Sequence, residues 1–132
     1  MDIVMPIIIA AALAAFIVIQ VGLKRIASRA VGLRAPDTAA IDGDLAPGAR
    51  RVYVFHAPHC GPCRVMMPTV DRIRETHPNL IKVDVSRDTE LARAFGVVAT
   101  PSVAVVDGGT VRSIKLGAQR PDQLLQLLGE QA

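Results

Sequence analysis

Between Ile3 and Leu23 the chain runs for 21 residues, IVMPIIIAAALAAFIVIQVGL, without a charge. As an α-helix at about 1.5 Å per residue this stretch is about 31 Å long, matching a hydrocarbon core about 30 Å thick. Pro6 falls in its first turn, where a missing N–H costs little. The competing readings are a cleaved signal peptide and a buried core helix. A signal peptide has a basic start, a shorter apolar region and a small-x-small cleavage site. Here Asp2 precedes the run and the basic residues follow it. A chargeless helix of this length is out of proportion to the core of a 132-residue chain. The run is therefore predicted to cross a membrane once.

The charge distribution supports that reading and sets an orientation. The formal net charge is +3. Lys24, Arg25, Arg29 and Arg34 follow the span closely, whereas from Ala35 onward 11 basic residues balance 11 acidic ones. The basic excess is thus a juxtamembrane cluster suited to anionic lipid headgroups, not the footprint of a nucleic-acid-binding domain. Positive flanks stay in the cytoplasm, so the remainder of the chain is predicted to face the cytoplasm from the cell (inner) membrane. A periplasmic orientation stays open. Residues 1–34 form the predicted anchor with its flank. Residues 35–49, APDTAAIDGDLAPGA, read as a linker or irregular lead-in. Residues 50–132 form the predicted soluble domain.

Within that domain the periodicity changes. Arg51–His56 reads as a buried strand, and Cys60 to His77 as a helix with Val65, Met66, Val70 and Ile73 on its apolar stripe. Leu80–Val85 alternates as a strand; Asp88–Phe95 reads as a short helix stopped by Gly96. Ser102–Val106 and Thr110–Leu116 are strands joined by a hairpin at Asp107-Gly108-Gly109, and Pro121–Leu128 is a closing helix. The order β-α-β-α-β-β-α predicts an α/β fold: one sheet with helices on both faces, the first three strands parallel and the last antiparallel.

The two cysteines, Cys60 and Cys63, are too few for a disulfide framework, and their spacing points to redox chemistry or metal binding. Cys60-Gly61-Pro62-Cys63 falls between a predicted strand and a predicted helix. Free N–H groups and the dipole at a helix start favour a thiolate on Cys60. Cys63 lies one turn further on, on the same side. Gly61 is expected to permit a sharp turn, and Pro62 fixes φ in the first helical turn. Such a pair exchanges disulfides: Cys60 attacks and Cys63 resolves. A zinc site through His56, His59, Cys60 and Cys63 is the main alternative, though Pro58 and Pro62 stiffen the segment; two inert core cysteines are another.

His56-Ala57-Pro58-His59-Cys60-Gly61-Pro62-Cys63 resembles the active-site segment of the thioredoxin family. Pro68 stands where that family kinks its active-site helix. Gly96-Val97-x-x-Thr100-Pro101-Ser102 is similar to its cis-proline segment, Asp107-Gly108-Gly109 to its hairpin, and Gly117-Ala118 to the Gly-Ala ending its last strand. The resemblance covers roughly residues 50–130. It implies a thioredoxin-like three-layer sandwich, trimmed at its N-terminus, that acts as a dithiol–disulfide oxidoreductase and needs no cofactor or metal beyond the Cys60–Cys63 pair. Cys60 would be the nucleophile and Cys63 the resolver. Pro101 would be cis, with the Thr100 backbone open to an extended substrate. His59, Gly61, Pro62 and Gly117 would complete the substrate surface. Two departures stand out. Val54 occupies the place of the family's buried Asp, which helps deprotonate the resolving cysteine, and His59 that of the Trp before the first cysteine. Lys82, the family's partner for that Asp, would turn to Asp84. His56 and His59 are expected to make the site sensitive to pH.

Two functions follow. One is a membrane-tethered oxidoreductase acting on a disulfide-bearing, membrane-associated protein and recycled by an upstream thiol reductant. The other is a non-catalytic accessory subunit of a larger membrane complex, keeping the fold as a docking module. The run Ala10-Ala11-Ala12-Leu13-Ala14-Ala15 would permit close helix packing there.

Overall fold

A computed structural model describes residues 2–27 and 29–129. Helix α1 (Val4–Ala27) is followed by a short α2 (Ala39–Asp42), β1 (Arg51–His56), α3 (Gly61–Arg74), β2 (Leu80–Asp84), α4 (Thr89–Ala94), β3 (Ser102–Asp107), β4 (Thr110–Leu116) and α5 (Pro121–Leu127). The four strands form one sheet in the order β2-β1-β3-β4.

Alternation along the strands divides the interior into two layers. Val52, Val54, Leu80, Val103 and Val105 face Met66 and Val70 of α3, with Leu124 of α5 beside them. Tyr53, Phe55, Ile81, Val83, Ala104 and Val106 face the other way, against Ala92 and Phe95 at α4. Phe95 is fully buried and lies 5.3 Å, ring centre to ring centre, from both Tyr53 and Phe55. Burying a side chain of this size contributes about 1.5–3 kcal/mol.

The strand directions differ from expectation in one respect. β1 and β2 are parallel, but β3 runs antiparallel to β1, with Phe55 opposite Ser102. The 17 residues between β2 and β3 turn back on themselves: α4, the Gly96 turn and the segment to cis-Pro101 return the chain to the end of the sheet where β2 stops, and β3 starts there. Gly96, at φ +73°, closes α4: its N–H donates to the Arg93 carbonyl, and the Val97 N–H donates to the Ala92 carbonyl.

Residues 35–49 do more than connect. Thr38 is buried; its hydroxyl donates to Asp42 at 2.6 Å and lies 3.0 Å from Tyr53 Oη. Asp42 also takes the Tyr53 hydroxyl and an ion pair from Arg51. Burial, and then the bond to Asp42, push the Tyr53 phenol above its ordinary range. Just upstream, Gly32 N–H donates to the Val111 carbonyl, Val111 N–H to Leu33, and Ala35 N–H to Gly109. These bonds, around the Arg34–Thr110 bridge, lay the chain along the outer edge of β4.

α1 is long and apolar enough to cross a membrane: Val4–Ile26 has a mean hydropathy of 2.6 and its most apolar stretch is unburied.

Candidate active site

β1 delivers the chain to the site, and α3 begins there. Cys60 is the N-cap of α3: its backbone is extended (φ −100°, ψ 112°) and its Sγ accepts from the Cys63 N–H at 3.3 Å. Sulfur thus takes the place usually held by a Ser or Asp oxygen, among the free N–H groups of a helix start. Pro62 sits in the first turn, where no donor is lost. Cys60 and Cys63 are joined in a disulfide with their Cα atoms 5.2 Å apart. Cys60 is half-buried, whereas Cys63 is 1% exposed and heads the buried stripe Cys63, Met66, Val70. Cys60 is thus the more accessible residue of the pair, and Cys63 belongs to the interior.

Two details of this helix depart from expectation. Gly61 has no left-handed φ, and a Cβ there would meet nothing within 4 Å, so the turn does not depend on glycine. Val65 belongs to the solvent side of α3, not to its apolar stripe; at 79% exposed it is an apolar contact surface close to the disulfide. Hydrophobicity alone placed Val65 inside, and only its offset of two from Cys63 shows that it lies off the buried face.

The second wall of the site comes from the loop before β3. Thr100-Pro101 is a cis peptide, with Thr100 half-buried and Pro101 buried. Ser102 pairs with Phe55, so Pro101 lies level with the end of β1 from which the Cys60 loop departs. Ser102 Oγ donates to the Ala99 carbonyl and closes the loop. The Gly117 N–H donates to the Pro101 carbonyl at 2.8 Å, and Gly117 adopts φ +88°. The Gln119 N–H reaches Met66 Sδ at 3.3 Å, which ties this turn to α3. Gly117, Thr100, Pro101 and the disulfide are thereby gathered at one end of the sheet. His59, Gly61 and Pro62 are exposed there.

Behind the disulfide, Val54, His56, Lys82 and Asp84 share the α3 face of the sheet, Val54 in register with Lys82 and His56 with Asp84. Lys82 does not pair with Asp84. Its Nζ reaches Asp71 on α3 at 2.9 Å, while Asp84 accepts from both the amide and hydroxyl of Ser86. The helix lies directly over this face, so a long side chain from β2 meets it before it meets its own strand. The Ser86 hydrogen bonds hold the Asp84 carboxyl below its ordinary range. Burial lowers the His56 pKa, with Asp84 and Asp71 opposing and Lys82 adding to that shift. No cluster of three or more His, Cys, Asp or Glu suited to a metal occurs among the described residues.

A thioredoxin family model matches residues 42–130. The chain is 31% identical over 77 residues to thioredoxin 1 of Nostoc sp., covering 56% of this chain and 72% of that protein. It is 34% identical over 76 residues to the mitochondrial thioredoxin of Mus musculus, covering 55% of this chain and 46% of the relative, so it spans about half of that longer protein. The structure is similar to that of a mutant thioredoxin from Halobacterium salinarum, with a TM-score of 0.60 and 27% identity over 72% of this chain and 84% of the other. The chain belongs to the thioredoxin family, and Cys60 and Cys63 are its Cys-X-X-Cys pair for thiol–disulfide exchange.

Proposed function

We propose that this protein is a thiol–disulfide oxidoreductase tethered by α1 to the cell membrane, acting on a disulfide in a membrane-associated protein. The observation that carries this reading is the half-buried Cys60 sulfur capping α3, bonded to a buried Cys63. In the reduced protein, the Cys60 thiolate attacks one sulfur of the substrate disulfide. A mixed disulfide forms, and the substrate's other sulfur leaves as a thiolate and takes up a proton. Cys63, deprotonated, then attacks Cys60 Sγ; the second substrate sulfur leaves and is protonated. Two electrons have passed to the substrate, and the Cys60–Cys63 disulfide remains. An upstream thiol reductant returns the pair to the dithiol.

His59, Gly61 and Pro62 would frame the attacking sulfur, with Thr100, Pro101 and Gly117 opposite them to hold an extended substrate strand. His56 and Lys82 would support Cys63 from behind. The basic flank after α1 supports a cytoplasmic orientation, and tethering raises the effective concentration of the site toward partners in the same membrane.

The test is to express Cys63→Ser with its membrane and isolate mixed disulfides. A specific membrane protein bound through Cys60, and lost when Cys60→Ser is added, is the expected result. Insulin disulfide reduction that survives Cys60→Ser would overturn the reading. The fully buried Val54, at the family's acidic position, favours the non-catalytic docking module as the second reading. That reading requires function to persist in the Cys60→Ser, Cys63→Ser double variant, with fixed-stoichiometry copurification in a large complex.

A further inference from the structure

The end of α1 is not joined to the sheet by a loose tether. The Ile26 carbonyl comes within 3.8 Å, and Ala30 Cβ within 4.0 Å, of the space a Cβ would occupy at Gly96. Ala30 is 8% exposed, and the residues just beyond it are hydrogen-bonded along β4. The last turn of α1 therefore abuts the C-terminal end of α4. An open groove of about 400 Å³ lies between them, lined by Ile26, Arg29, Leu33, Arg93 and Val98 among others.

The chemistry of this face is mixed in a particular way. Leu33 and Val98 are 61% and 43% exposed, and both line this groove. Arg29 and Arg93 stand beside them, both exposed and in no ion pair among the described residues. The chargeless run of α1 ends at Leu23, and Ile26, the last residue of the candidate span, lines the same groove. If α1 spans a bilayer, this is the level at which the headgroups lie. Cations interleaved with apolar side chains at that level fit an anionic lipid surface.

We propose that the α1–α4 face is seated on an anionic bilayer surface. Arg29 and Arg93 meet lipid phosphates, and Leu33 and Val98 enter the acyl boundary. This rests on the membrane-span reading of α1 and extends it to the folded part of the chain. Val98 lies two residues before Thr100, so the loop leading to cis-Pro101 is held against the membrane. The substrate disulfide is then one carried close to the bilayer surface, on a segment flanking a membrane span.

The chain contains no Trp, so a single introduced indole reports its own depth. Val98→Trp, Leu33→Trp, Phe16→Trp and Gln126→Trp variants of the full chain are reconstituted in phosphatidylcholine vesicles with and without phosphatidylglycerol, using brominated acyl chains as quencher. The expected result is strong quenching at 16 in both lipids, and quenching with a blue shift at 98 and 33 in the anionic vesicles only. At 126 the emission stays unquenched. Arg29→Glu with Arg93→Glu should abolish the quenching at 98 and leave that at 16 intact. Quenching at 16 without any at 98 or 33 overturns the seating and spares the span. Absence of quenching at 16 removes the span, and the seating with it.

Discussion

Lys82 reaches out of β2 to Asp71 on α3 at 2.9 Å, across the layer that carries Cys63 at its head. Opposite Lys82 in the sheet stands Val54, fully buried and unable to accept a proton. The lysine is thus held by the helix rather than by a carboxylate beneath the disulfide. Val54→Asp would place an acid there. Burying that carboxylate costs stability by about 1–3 kcal/mol, since Lys82 opposite it is already paired with Asp71. Resolution of a preformed mixed disulfide by Cys63 should speed up in the same variant. Stopped-flow resolution rates and urea midpoints measure the two effects separately; a slower or unchanged rate would show that no base is wanting at 54.

Lys82→Ala should cost little by comparison. The pair is 28% and 54% exposed at its two side chains, and ion pairs of that kind contribute about 0–1 kcal/mol. A urea midpoint shift corresponding to more than that would mean that Lys82 holds α3 in place.

The Asp42–Arg51 pair is a different case, with side chains only 7% and 11% exposed. Removing one member of a buried pair leaves the other uncompensated and costs about 3–5 kcal/mol. Asp42→Ala should therefore lower the unfolding free energy by about that amount, while Asp44→Ala, at an exposed position, should leave it nearly unchanged. Chemical denaturation of the detergent-solubilised chain distinguishes them. Equal effects would return residues 35–49 to the status of a passive connector.

Phe95→Ala should be among the most damaging single changes. It removes a fully buried ring packed on Tyr53 and Phe55, a loss of about 3–5 kcal/mol. The thermal midpoint follows it.

Burial lowers the His56 pKa below its ordinary 6.5, so the folded protein holds His56 neutral where the unfolded chain would protonate it. The stability this confers is complete above about pH 6.5 and falls as pH drops through the folded value. Asp84, also held low, adds a separate loss only at more acidic pH, below its ordinary 3.8. His56→Phe should flatten the first decline and leave the second. Urea midpoints collected across the acid range show whether the two separate.

The elements of the fold were legible because their signals are local. β1 and β4 match the expected Arg51–His56 and Thr110–Leu116 to the residue, since each is a β-rich run bounded by a break. The direction of β3 was not legible, because the run SVAVV reads the same either way; direction is set by the end of the sheet at which the α4 segment leaves the chain. The Cys60–Cys63 pair followed from its spacing, whereas the cis bond at Pro101 came only with the family resemblance. The Lys82–Asp71 pair followed from neither, because it joins a strand to a helix eleven residues upstream. Thr38 and Asp42 sit in a stretch whose Asp, Pro and Gly content reads as solvent-facing, and only Tyr53 and Arg51 beneath them give those polar groups a reason to be buried.

The backbone bonds of Gly32 and Leu33 with β4, and of Ala35 with the hairpin before it, leave almost no slack between α1 and the sheet. On the tethered reading, the redox pair behaves as a fixture in the plane of the membrane, unable to swing out toward distant thiols. Encounters then depend on lateral drift of partner proteins, and lengthening the stretch around Val31 should widen the range of proteins oxidised or reduced without altering the sulfur chemistry.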